Sequence, residues 1–135
     1  MDRSFPVIRR ALLAALAAAA VFPAAATIAA DDDPLAKLET GKWTVKSGDG
    51  TNARELCLAD PAQLVRLEHE GMACTSESVA GDVRGATIQY SCPGHGYGHT
   101  ILRIETPRVA TIETQGLVDG RPFGYRATAR KVGPC

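Results

Sequence analysis

The eight residues GATIQYSC, Gly85 to Cys92, decide how this chain is read. Ala86, Ile88, Tyr90 and Cys92 fall on one side of an extended chain, and Thr87, Gln89 and Ser91 on the other. Successive side chains of a strand point to opposite faces, so strict alternation predicts a strand with one dry and one wet face. The same period returns downstream. Phe123, Tyr125, Ala127 and Ala129 oppose Gly124, Arg126, Thr128 and Arg130. Leu102 and Ile104 oppose Arg103 and Glu105, and Ala110 and Ile112 oppose Thr111 and Glu113. Strands with an apolar face each require something to cover that face.

Upstream, Gly41 to Lys46 alternates with Trp43 and Val45 inward, Ser47-Gly48-Asp49-Gly50 is a turn cluster, and Asn52 to Leu58 reads as a second strand. Asp60 as N-cap, Pro61 in the first helical position and Gln63 completing a capping box predict a short α-helix. Leu64 and Leu67 would form its apolar face, and Gly71 would stop it. Cys74 to Ala80 precedes a hairpin loop, Gly81 to Gly85. Downstream, Pro93 to His99 reads as a glycine-rich loop, Thr106-Pro107-Arg108 as a corner, and Val118-Asp119-Gly120-Arg121 as an Asp-Gly hairpin turn. The expected fold is mainly β: a curved antiparallel meander of six to seven strands, closing toward a barrel, with one short α-helix against it. A small two-sheet sandwich is the alternative.

The first thirty residues stand apart. Arg3, Arg9 and Arg10 precede the apolar run Ala11 to Phe22, and small residues continue to Ala30. That order is the pattern of a secretory signal peptide, and the run is shorter than the about 20 residues that span a bilayer. The organisation expected is a signal peptide over 1–30, a flexible acidic lead-in over 31–40 and one β domain over 41–135. Setting aside Asp2 and the three signal arginines from 15 acidic and 15 basic residues leaves a net charge of about −2. Without a basic patch, nucleic acid and anionic lipid surfaces are poor partners.

Cys57, Cys74, Cys92 and Cys135 all lie past the signal. An even count in an exported chain predicts two disulfides, whereas a zinc site needs closer pairs. If the hairpin is centred on Val83, Cys74 faces Cys92, which favours Cys74–Cys92 with Cys57–Cys135 over Cys57–Cys74 with Cys92–Cys135. Each bridge would contribute about 3–4 kcal/mol by loop closure.

Chemistry-bearing residues are sparse. His95 and His99 could converge with His69 or Glu70 on a metal, but Gly94, Gly96 and Gly98 forbid a helix that would align them, so no metal or cofactor is expected. Ser91 lacks a nucleophile-elbow pattern, and Glu105 and Glu113, with Arg103 and Arg108 as ion-pair partners, read as a solvated face. The expectation is a protein that is not an enzyme.

Gly41-Lys42-Trp43, Cys57-Leu58, Cys74, Tyr90-Ser91-Cys92 and the terminal Gly133-Pro134-Cys135 together resemble the proteobacterial family called domain of unknown function 3617. The resemblance runs from about Gly41 to Cys135 and implies a small exported four-cysteine protein, with no activity attached. The His95–His99 segment departs from that pattern. Two functions are expected to compete for a periplasmic or secreted protein of this kind. One is a binding module holding a small apolar or amphipathic ligand in the hollow of the sheet. The other is an interaction module for an envelope protein, such as an inhibitor of a cell-wall enzyme, acting through an exposed Gly94–His99 loop with His95, Tyr97 and His99 as its contacts. Neither involves a membrane span after signal removal.

Overall fold

In a computed structural model, residues 33–135 are described; residues 1–30, expected to be a signal peptide, and Asp31–Asp32 lie outside them. Seven strands form one antiparallel sheet: β1 Gly41–Ser47, β2 Ala53–Leu58, β3 Thr75–Asp82, β4 Gly85–Cys92, β5 Gly96–Thr106, β6 Val109–Val118 and β7 Arg121–Gly133. Their order across the sheet is β2-β1-β7-β6-β5-β4-β3. β3 to β7 form a meander in chain order, and the β1–β2 hairpin is added along β7. The two edge strands, β2 and β3, do not pair with each other, so the sheet stays open, and neither barrel nor sandwich forms.

Because β2 and β3 lie at opposite edges, residues 59–74 between them have to cross the whole sheet. They cross over the apolar face and cover it. The residues forecast as inward are buried there: Trp43 and Val45 on β1, Ala86, Ile88 and Tyr90 on β4, Leu102 on β5, Ala110 and Ile112 on β6, Ala127 and Ala129 on β7. Leu58, Leu64, Val65 and Leu67 close the core from above. The turn at Pro61–Val65 touches β2 as well as β5 and β6. On a flat sheet β2 and β5 would lie four spacings, about 19 Å, apart. A five-residue turn of this kind is only about 10 Å long. The sheet therefore curls around its own crossing segment, which fills the hollow.

The forecast α-helix is not formed. Its start signals hold: Asp60 accepts from the Ala62 N–H, and Gln63 accepts from the backbone of Asp60, as a capping box requires. Beyond this cap the chain makes two short 3-10 turns, Pro61–Val65 and Leu67–His69, divided at Arg66, whose backbone leaves the helical region (φ −120°, ψ 38°). An α-helix would use the Val65 carbonyl to accept from the His69 N–H. Here that carbonyl accepts instead from the Thr100 hydroxyl at 2.8 Å, and the His69 N–H donates to Arg66 O at 2.9 Å. A sheet side chain has taken the acceptor the helix needed.

The lead-in is also more than solvated chain. Pro34–Lys37 forms a 3-10 turn capped by the Asp33 carboxylate, with Pro34 and Leu38 buried. The Trp43 indole donates to Glu39 O at 3.0 Å, and the Lys37 ammonium donates to Val83 O at 2.7 Å. Burial of Leu38 and the Trp43 anchor pull Pro34 to Thr40 onto the core, so the domain starts before Gly41.

Candidate functional site

The four cysteines form two disulfides, Cys57–Cys135 and Cys74–Cys92. The second depends on a bulge. The β3–β4 hairpin turns at Val83–Arg84, and near the turn Asp82 faces Gly85 and Ala80 faces Thr87. Continued without interruption, that register would carry Cys74 to Pro93. Val79 is an extra residue on β3, so beyond it Ser78 faces Ile88 and Thr75 faces Ser91, and Cys74 meets Cys92.

The segment expected to be an exposed Gly94–His99 loop is a tight turn running into a strand. The His95 N–H donates to Cys92 O at 2.8 Å, with Pro93 and Gly94 (φ +82°) between them. Pro followed by a residue of positive φ is the signature of a type II turn. From Gly96 onward the chain is β5. Gly98 is glycine for space rather than for turning: a methyl group there would lie 2.3 Å from the Tyr90 ring, which lies across it. The long loop is therefore replaced by a three-residue corner, because packing under Tyr90 and pairing on both sides draw Gly96 to His99 into the sheet.

Of the three residues forecast as contacts, His95 is thereby set apart from Tyr97 and His99. The His95 imidazole is 2.9 Å from the Asp119 carboxylate, tying this corner to the Asp119–Gly120 turn between β6 and β7, where both residues have positive φ. Tyr97 and His99 are two apart on β5 and share its outer face, while Gly98 and Thr100 between and beyond them are buried. Each has cross-strand neighbours on both sides: Ser91 and Leu117 for Tyr97, Gln89 and Gln115 for His99. A groove of about 780 Å³ runs past them, bounded by Thr75, Glu77, Gln89 and Ser91.

His69 lies on the opposite, covered side, 1 % exposed. Its Nε2–H donates to Leu117 O at 3.2 Å, which leaves Nδ1 to accept from the Tyr90 hydroxyl at 3.2 Å in the neutral ring. Tyr90 and Phe123 both meet the imidazole edge-on. Burial, reinforced by the charge of Glu68, pushes the Tyr90 hydroxyl up to about 12. His69 and His99 face away from each other across the sheet, and no group of three His, Cys, Asp or Glu residues suited to a metal occurs among the described residues. Ser91 neighbours Tyr97 and not His95, and Glu113 pairs with Arg126 at 3.0 Å rather than with Arg103 or Arg108.

A second concavity opens on the covered side where Glu68 of the crossing segment meets β1, β2 and β7. It holds about 620 Å³ between the apolar wall Val45, Phe123, Tyr125 and Ala127 and the ion pair Arg54–Glu68. Arg54 Nη1 donates to Leu67 O at 2.9 Å, and Nη2 lies 2.5 Å from Glu68 Oε1. The Tyr125 hydroxyl donates to the same oxygen at 2.8 Å. Burial pushes the Tyr125 hydroxyl up, and its bond to the Glu68 carboxylate adds to this. The bonds from Arg54 and Tyr125 both go to Oε1 of Glu68, and Oε2 has no hydrogen-bond partner among the described residues.

Little in the sequence marks this site. Arg54 carried a usable signal, since it sits in phase with Leu56 and Leu58 on the inward side of β2. Outside the cleft, Thr100 and Thr114, buried beneath Val65, carried one too, in phase with Leu102 and Ile112. Glu68 carried none, because only the folded crossing segment brings it to Tyr125, 57 residues away in sequence. No family model, curated protein or solved structure matches the chain.

Proposed function

We propose that this is an exported, non-enzymatic binding module whose ligand is small and amphipathic and sits in the cleft between β7 and the Arg54–Glu68 pair. The cleft carries the reading. Its volume falls within the about 300–1,000 Å³ usual for small-molecule sites, and it combines an apolar wall with a few fixed polar groups. The middle of the hollow is filled by Leu64, Val65 and Leu67, so the ligand belongs at its open end and not at its centre. An apolar body would lie on Phe123 and Val45, and a hydrogen-bond donor would reach Glu68 Oε2. Export is supported by the basic, apolar and small-residue order of residues 1–30, by two disulfides in a chain of this size, and by the motif resemblance to an exported family.

The test is native mass spectrometry of protein exported to a periplasm and purified without reductant. The expected result is a chain that starts at a residue from Thr27 to Asp31, four hydrogens lighter than its reduced form, carrying a non-covalent adduct that leaves on mild activation. Phe123→Ala should lose the adduct. A bare wild-type chain, or an adduct held equally by Phe123→Ala, would refute this reading.

A further inference from the structure

The outer face of β3 to β6 carries a band of mostly uncharged polar side chains. Two rows of side chains cross the strands there at right angles. One row is Thr75, Ser91, Tyr97 and Leu117, and the next is Glu77, Gln89, His99 and Gln115, each residue directly opposite its neighbour in the row. At about 4.8 Å per strand, the second row places four hydrogen-bonding groups over about 14 Å. Further along the same face the exposed groups are charged: Lys42 pairs with Glu55 and Arg126 with Glu113, while Lys46, Arg103, Glu105 and Arg130 project into solvent. Among the described residues, Glu77, Gln89, Ser91, Tyr97, His99 and Gln115 make no side-chain hydrogen bond within the chain, although backbone pairing holds each in place. Tyr97 stands 57 % exposed beside them, at the wall of the 780 Å³ groove.

The chemistry of the two rows selects a ligand. They hold no Lys or Arg, so a polyanion finds no counter-charge, and one carboxylate, Glu77, is too few for a polycation. Amides, hydroxyls and an imidazole each donate and accept, which suits a molecule bearing many neutral hydroxyls. An aromatic ring with its negative face exposed accepts the C–H face of a sugar ring. A protein partner would instead find too little apolar area, since interface centres are rich in aromatic residues, Met and Arg. We propose that this groove is a glycan site: a neutral oligosaccharide or polysaccharide chain lies along the Gln89–His99–Gln115 row and stacks a sugar ring on Tyr97. The site is separate from the cleft at Phe123, which lies on the other side of the sheet.

Isothermal titration of the disulfide-intact protein with cellohexaose, maltohexaose, xylohexaose and N-acetylchitohexaose tests this, with dextran sulfate as the polyanion. The expected result is saturable binding of at least one neutral sugar, weakened about tenfold or more by Tyr97→Ala, as loss of an aromatic contact predicts. Tyr97→Phe should retain the binding, Gln89→Leu should weaken it, and Phe123→Ala should leave it unchanged. Melting curves of the outer-face variants should stay near wild type, because these side chains project into solvent. Three results would overturn the proposal: no neutral sugar bound, binding undiminished in a folded Tyr97→Ala, or binding of dextran sulfate alone.

Discussion

Replacing Thr100 by valine should cost far more than the loss of one hydroxyl suggests. Thr100 is 0 % exposed, and its hydroxyl donates to Val65 O at 2.8 Å. It also lies 2.7 Å from the Thr114 hydroxyl. Its single proton is committed to Val65, so the Thr114 hydroxyl must donate to Thr100. Thr100→Val keeps the shape and breaks both bonds. It leaves two buried groups without partners, the Val65 carbonyl and the Thr114 hydroxyl. Stranding a buried polar group costs about 1–3 kcal/mol, partly offset here by the added methyl, so the expected loss is about 2–3 kcal/mol. At about 4–8 °C per kcal/mol for a domain of this size, the midpoint should fall by roughly 10–20 °C. Thr114→Val is milder, about 1 kcal/mol, because Thr100 still serves Val65 and no donor is stranded. The double variant removes the stranded hydroxyl and should be no less stable than Thr100→Val alone. Urea unfolding with the disulfides intact gives all three values. Additive single and double losses would refute the shared-network reasoning, since independent sites add and a shared bond does not. A wild-type midpoint for Thr100→Val would refute the claim that this hydroxyl ties the crossing segment to the sheet.

Gly98→Ala should cost about 1–3 kcal/mol by overpacking against the Tyr90 ring, and thermal melts should show a smaller cost for the same change in a Tyr90→Leu background than in wild type. Loop closure ranks the disulfides: with a sequence separation of 78 for Cys57–Cys135 and 18 for Cys74–Cys92, paired replacement by alanine should cost about 4–5 and about 3 kcal/mol respectively. Equal losses by urea unfolding would mean that native packing around each bridge, not loop length, sets its value. Asp49 accepts hydrogen bonds first from the Ser47 hydroxyl and then from Thr51, which lowers its carboxyl from 3.8 to about 2. A depressed carboxyl contributes stability above its unfolded value and loses it as pH falls through the folded one. Asp49→Asn should therefore lower the melting temperature slightly at neutral pH and match wild type below about pH 2, and a carboxyl titration by NMR should place Asp49 near 2.

Much of the sheet was legible because a strand writes its own burial into alternate residues. Every inward position read from β1, β4 and β6 is buried, and on β5 and β7 only Ile104, Phe123 and Tyr125 stop at half-buried. Glycine and proline marked the corners for local reasons, as at Asp119–Gly120. The capping box at Asp60 was local as well, and it formed. Its continuation as an α-helix was not local, because the competing donor, Thr100, sits 35 residues further on. The Gly94–His99 segment misled for the same reason: three glycines in six residues read as freedom, whereas Gly98 is small to admit a ring from β4.

What the sequence determined by itself is what depends on neighbours in the chain: the strands, their two faces, the turns, and, through composition and the first thirty residues, the expectation of an exported disulfide protein. The tertiary structure decided everything that depends on pairing across distance. It ordered the sheet so that β2 and β3 became opposite edges, and it sent residues 59–74 across the apolar face to fill the hollow. It shifted Cys74 onto Cys92 by one bulged residue, and it set Tyr97 and His99 among the side chains of three other strands. Alternation is a property of one strand and can be read along it. A site is a property of several strands, and its members become neighbours only when hydrogen-bond register aligns them.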